Sequence, residues 1–214
     1  MEQKTETMRE RIRKGAEDLY LRYGLRSVTM DDVAKDLSVS KKTIYQFFRD
    51  KHELVQCVML EHQCRTEDVL QGISQEAHDA IEEFILISIM LQKMFANMNP
   101  VVLYDLQKYH PDAWHVFLEH RDSCIEKTIL HNLQWGQRDG LYRDDAHPAI
   151  LARMRIEQAM LAFDSSAFPH DTYSLVEVQT QFLLHFIHGV VSPRGYELLQ
   201  TYKAKYNIRT HGKP

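Results

Sequence analysis

Residues Val28–Lys51 read VTMDDVAKDLSVSKKTIYQFFRDK, and two short helices can be taken from this string directly. Met30, Val33, Ala34 and Leu37 recur at i, i+3, i+4 and i+7, the spacing that lines one face of a helix. Thr29 stands at the N-cap position and Asp32 lies three residues on, which is a capping-box pair. Ser38-Val39 then breaks the apolar pattern, and Ser40 can cap a further helix running through Phe47. On that helix Ile44, Phe47 and Phe48 are the candidate anchors, while Lys41, Lys42, Thr43, Tyr45 and Gln46 project outward. Two helices joined by about three residues fit the helix-turn-helix plan, whose second helix enters the DNA major groove.

The outward residues suit that task. Lysine donates to guanine O6 and N7, glutamine pairs with adenine, and a threonine methyl touches a thymine methyl. Tyr45, Thr29 and Lys51 are better matched to phosphate oxygens, which set register without reading sequence. The expected DNA-binding set is therefore Thr29, Ser40, Lys41, Lys42, Thr43, Tyr45, Gln46 and Lys51.

Upstream, Ile12, Ala16, Leu19, Tyr20 and Tyr23 share a face of a first helix that Gly24 ends. Downstream, Asp50 and Glu53 form another cap pair at the start of a longer fourth helix. Charge follows the same division. Residues 1–52 hold 12 Lys and Arg against 9 Asp and Glu, a net of +3, and the remainder carries −7, giving −4 overall. A positive head on an acidic body points to a polyanion meeting the head alone.

The run from Ile12 to Gly24 (IRKGAEDLYLRYG), followed by Val28–Lys51, resembles the DNA-binding domain of the TetR family, over roughly residues 8–60. The string Ser-Lys-x-Thr-Ile-Tyr-x-Phe-Phe-x-x-Lys carries the similarity, with caps and core positions in the same order. The resemblance implies an all-α homodimer: a three-helix DNA-binding domain with helix-turn-helix, here 1–50, followed by a larger helical effector-binding and dimerisation domain, here 51–214. It also implies double-stranded operator DNA and a small-molecule effector as partners, with repression relieved by the ligand as the commoner mode. Two positions depart from the common pattern. Leu37-Ser38 replaces Ala-Gly at the turn, where a left-handed Ser38 would cost about 1 kcal/mol. Lys42 stands where glycine is frequent, which alters base contacts at the start of the helix.

The rest of the chain reads as long helices broken at Asn97–Pro100, Gly136–Pro148, Ser165–Thr172 and Gly189–Gly195. Ile81 to Phe95 is apolar on almost every face, the mark of a central core helix. The tail from about Asn207 is polar. Nothing resembles a signal peptide, and the longest apolar run, Phe84 to Leu91, falls far short of the roughly 20 residues of a membrane span. Cys57, Cys64 and Cys124 lack ligand-like spacing and read as reduced thiols of a cytoplasmic protein.

Met90, Met94, Phe95, Met98, Tyr104, Trp114, Phe117 and Phe163 are candidate walls of an effector cavity, because methionine adapts to irregular shapes and aromatics supply large apolar faces. A packed core would use the same residues. Arg121 shares an apolar face with Trp114, Phe117, Leu118, Cys124 and Ile125, so its guanidinium needs either an anionic ligand group or an internal acid. His185 and His188 have i, i+3 spacing that could serve a metal, but no further ligand can be placed, and no metal or cofactor is expected. A subunit interface explains them as well, since the resemblance puts the dimer contact on helices at about 149–165 and 173–190. Enzyme signatures are missing: no phosphate-cradling glycine loop, no Gly-x-Ser-x-Gly, and His52-Glu53 continues to Gln56 where a zinc protease has histidine. The rival reading is a helical protein-interaction module without operator binding, which Lys41, Thr43, Tyr45 and Lys51 speak against.

Overall fold

The computed structural model describes residues 7–208. Among them the chain is helical: α1 (Met8–Tyr23), α2 (Met30–Asp36), α3 (Lys41–Phe47), α4 (Lys51–Glu76), α5 (Ala80–Ala96), α6 (Val101–Tyr109), α7 (Pro111–His120), a π-helical turn (Arg121–Ile125), α8 (Glu126–Arg138), α9 (Pro148–Leu161), α10 (Leu175–Val190) and α11 (Pro193–Lys205). The sole extended pairing among the described residues is one antiparallel bridge, Tyr142–Val191. No single helix among them is long and apolar enough to cross a membrane. The part of the polar tail beyond Ile208 lies outside the described residues.

Packing sorts the chain into two units. One takes the chain up to Thr66 together with Asn97–His120; the other takes Glu67–Ala96 and the chain from Arg121 onward. A cut at 50/51 would part the helix-turn-helix from α6 and α7, which pack with it in the same unit.

In the first unit the local signals work as written in the sequence. Thr29 and Asp32 close a capping box on α2, and Ser40 accepts the Thr43 N–H at the start of α3. Asp50 accepts the Glu53 N–H while Glu53 reaches back to Arg49, so α4 starts on a reciprocal cap. Ile12, Ala16, Tyr20, Val33, Ile44, Phe48 and Leu54 form the buried core. Each large apolar side chain removed from water contributes about 1.5–3 kcal/mol. Phe47, expected as an anchor, is 37% exposed. The helix ends at Phe47, and Phe48, the C-cap with extended backbone (φ −137°, ψ 121°), turns its ring inward instead. Between α1 and α4, Glu17 accepts from His62 at 3.0 Å and from Arg65, with Arg13 placed 3.5 Å from both Glu17 and Glu61. Burial works to raise the Glu17 pKa, but the bonds from His62 and Arg65 prevail and hold it below the usual carboxylate value.

In the second unit Ile81, Ile85, Leu133, Phe186, Ile187 and Leu199 make the core. The expected all-round apolar helix begins with two buried carboxylates. Glu83 accepts from Asn132 Nδ2 at 2.6 Å. Glu82 accepts from Lys205 Nζ at 2.7 Å, Tyr206 Oη at 2.6 Å and the His78 backbone at 3.0 Å. Burial pushes the Glu82 pKa up, yet these donors outweigh it and bring it to about 2. They fasten α11 to the first turn of α5. The break expected from Gly136 starts only after Arg138; Gly136 lies inside α8, where the Tyr142 ring packs too closely to admit a Cβ.

Candidate nucleic-acid interface

The helix-turn-helix is positioned by burial on one side and left open on the other. Ile44 and Phe48 are almost fully buried and fix α3 against α1 and α2. Arg9 lies over the Phe48 ring at 4.8 Å. Lys41, Lys42, Tyr45 and Gln46 face outward, and Lys42 and Gln46 engage no other side chain among the described residues. These two are available to base edges without first breaking a contact.

The remaining members of the expected set are already engaged. Lys41 Nζ sits 2.8 Å from Asp31 Oδ1 and 6.0 Å from the Tyr45 ring centre. That ion pair is bridged from α2 to α3, and the hydrogen bond and charge of Asp31 raise the Lys41 pKa. Thr43 Oγ1 lies 2.8 Å from Ser40 Oγ, so both hydroxyls serve the cap, and Thr43 is half-buried. Thr29 Oγ1 donates to Asp32 at 2.7 Å. Lys51 Nζ donates to the Arg26 carbonyl at 3.4 Å, over the Tyr20 ring, and burial lowers its pKa. Ser38, at the turn between the two helices, adopts φ 55°, the left-handed conformation for which glycine is favoured.

Asp31 and Arg26 join this region without a signal in the local sequence pattern. Asp31 lies ten residues before Lys41, a separation at which no helical periodicity signals a contact. Arg26 lies between α1 and α2, its side chain 5.5 Å from the Tyr109 ring on α6, and only the fold brings those together.

The expected effector residues divide between the two units. Trp114 and Phe117 stack on each other at 5.2 Å in the first unit, against its core. Tyr104, in the same unit, is 54% exposed and accepts from Lys108 Nζ at 2.7 Å, which puts it on the surface rather than in a cavity. Met90, Met94 and Phe163 belong to the second unit, where Phe163 meets Phe95 edge-on at 5.8 Å. Arg121 is gripped by its neighbour Asp122 through Nε at 2.7 Å and Nη2 at 3.1 Å, the internal-acid alternative. His188 takes Lys203 at 3.0 Å and the Tyr196 ring, while His185 is exposed. The buried cation of the second unit is Arg155, 5% exposed on α9. Its signal was available: Leu151, Ala152, Ile156 and Ala159 surround it at helical spacing, as apolar residues surround Arg121.

Residues 12–58 match the family model of bacterial regulatory proteins, tetR family. A Bacillus subtilis (strain 168) protein, the uncharacterized HTH-type transcriptional regulator YvaF, is 32% identical over 89 residues. That match covers 41% of this chain and 47% of the relative, so the similarity spans about half of its length. Among solved structures, a tetR-family transcriptional regulator of Agrobacterium tumefaciens superposes with a TM-score of 0.72 at 13% identity, over 86% of this chain and 97% of the other. A Saccharomonospora viridis protein, described as a transcriptional regulator and crystallised with choline, gives 0.69 at 21% identity over 86% and 97%. Those two likenesses speak for the fold, while the N-terminal match speaks for the domain whose geometry is given above. By that match, residues 12–58 form the DNA-binding domain of the tetR family of bacterial regulatory proteins.

Proposed function

We propose that the chain is a ligand-responsive transcription regulator that binds a palindromic operator as a homodimer and leaves it when a small molecule binds the second unit. The observation that carries this reading is the outward face of α3, where Lys42, Tyr45 and Gln46 stand exposed on a helix anchored by Ile44 and Phe48. A dimer is supported by α9. Ile150, Met154 and Leu161 lie on one stripe of that helix and are 64%, 41% and 44% exposed, an apolar face that a second copy would cover. Two heads on a two-fold axis read half-sites about one helical turn apart.

The effector half of the reading draws support from the choline-bound relative and from α4. Three residues separate that helix from α3, and it contributes to both units, so a shift in it would alter the heads. A coupling of about 1–3 kcal/mol changes operator affinity by roughly 5–150-fold.

Operator selection from random duplex DNA tests the proposal, with Lys42→Ala and Tyr45→Phe run in parallel. A palindromic consensus whose half-sites change with Lys42→Ala supports it. No enrichment at low salt, where phosphate contacts are strongest, would leave the chain a protein-interaction module.

A further inference from the structure

The described residues include two buried arginines, Arg13 and Arg155. Arg13 has Glu17 and Glu61 each at 3.5 Å. Arg155 has nothing comparable. Among the described residues it makes no hydrogen bond, ion pair or ring contact, and its Nη1 is fully occluded without a partner. Burial alone lowers its pKa, to about 10, so the group stays charged at neutral pH. A guanidinium taken out of water without a counter-charge is among the costliest arrangements a fold can hold. No counter-charge for it stands among the described residues.

The surroundings narrow what could supply it. Arg155 lies on the inner face of α9, with Ala152 and Ala159 before and after it, side chains too small to cover a guanidinium. Gln179 of α10 is 1% exposed and donates its Nε2 to the Ala159 carbonyl at 2.8 Å. Its Oε1 has no partner, and neither has the buried Oε1 of Gln158. Just past the end of α9, Phe163 packs on Phe95. The buried stretch of α9 and the facing Gln179 of α10 thus carry one cation and two idle acceptors, and Phe163 follows about two turns after Arg155.

We propose that Arg155 anchors the effector, and that the effector is a monoanionic carboxylate with an apolar body. The guanidinium fork matches a carboxylate with two parallel bonds. One cation balances one negative charge, whereas a phosphate monoester would bring a second with no partner. The idle glutamine oxygens accept from a hydroxyl or amide on the ligand. The inference rests on the second unit being the effector domain, so binding is measured on the protein itself and release from DNA separately.

The test is thermal unfolding and calorimetry on the full chain with octanoate, decanoate, 3-phenylpropionate and indole-3-acetate, against octanol, octyltrimethylammonium and choline. At least one carboxylate raises the unfolding temperature, and its neutral and cationic counterparts do not. Arg155→Met binds that carboxylate roughly thirtyfold more weakly or worse, while its unliganded unfolding temperature equals or exceeds the wild type, because an unpaired charge has gone. Arg155→Lys, keeping charge without the fork, falls between. If a carboxylate binds through Arg155 but leaves operator affinity untouched, the anion site stands and the ligand-release reading fails. The proposal is overturned if no carboxylate binds, if binding survives Arg155→Met, or if choline or the alcohol binds instead. It is equally overturned if Arg155→Met lowers the unliganded unfolding temperature, for Arg155 would then be a packing group.

Discussion

The Asp105 carboxylate on α6 accepts the backbone N–H of Arg26 at 2.8 Å, joining residues 79 apart in sequence. Arg26 precedes Thr29, the cap of α2, and its carbonyl receives Lys51 Nζ at the start of α4. One buried acid thus fixes the segment from which both helices depart. Gly24 closes against the same place: its φ is +85°, and a Cβ there would lie 2.9 Å from Val101 Cγ2 and 3.1 Å from Asp105 Oδ2.

Asp105→Ala therefore lowers stability by about 1.5–3 kcal/mol, the range for a hydrogen bond to a charged group. Asp105→Asn, which keeps an acceptor, costs less. Gly24→Ala destabilises by more than about 1 kcal/mol through the strained backbone and the contact with Val101. Urea unfolding of the three variants checks the order; an Asp105→Ala midpoint equal to wild type would remove the bond from the account.

At the turn between α2 and α3, Ser38 holds φ 55° without a glycine. Ser38→Gly is expected to stabilise the protein by about 1 kcal/mol, and Ser38→Val to destabilise it by more. Thermal unfolding measures both, and a loss of stability in Ser38→Gly would contradict the strain.

His110 is buried, its ring centre 4.7 Å from that of His52, and its Nδ1 has no partner. Burial first, then the charges of His52 and Lys51, bring its pKa from 6.5 to about 4, against the opposing pull of Asp105. The unfolded chain thus binds the extra proton between about pH 6.5 and pH 4. His110's contribution is complete above pH 6.5, falls as the pH drops through that window, and levels off below it. Subtracting the urea midpoints of His110→Leu from those of wild type isolates this contribution. The difference should decline from pH 6.5 to 4, and a flat curve would show that His110 protonates freely in the fold.

Asp31 places a negative charge beside Lys41 on the face offered to DNA. Both side chains are about half exposed, so Asp31→Asn changes stability by no more than about 0.5 kcal/mol. It leaves Lys41 free for a phosphate, which steepens the salt dependence of DNA binding by about 0.9 in log–log slope. Lys42→Ala distinguishes two roles for that residue. A phosphate contact makes the slope shallower by a similar amount, whereas a base contact leaves the slope and changes the preferred operator. Titrations at four salt concentrations resolve both effects.

Local spacing along the chain is enough to specify how the N-terminal helices begin. Thr29 with Asp32, Ser40, and Asp50 with Glu53 are caps whose donor and acceptor lie within four residues, so their spacing alone declares them. Ile44 is legible for the same reason, because helical periodicity ties its burial to its position. Phe47 shows where periodicity loses resolution, since the helix ends there and the extended C-cap Phe48 takes the inward place. Tertiary structure alone decided the rest. Asp105 meets Arg26, Asp31 meets Lys41, and Glu82 gathers Lys205 and Tyr206 from the far end of the chain. Arg121 and Arg155 sit in similar apolar frames, yet one has an aspartate beside it and the other pairs with no acid among the described residues. A charge in a core depends on which groups the fold brings within a few ångströms, and periodicity carries no information about those partners.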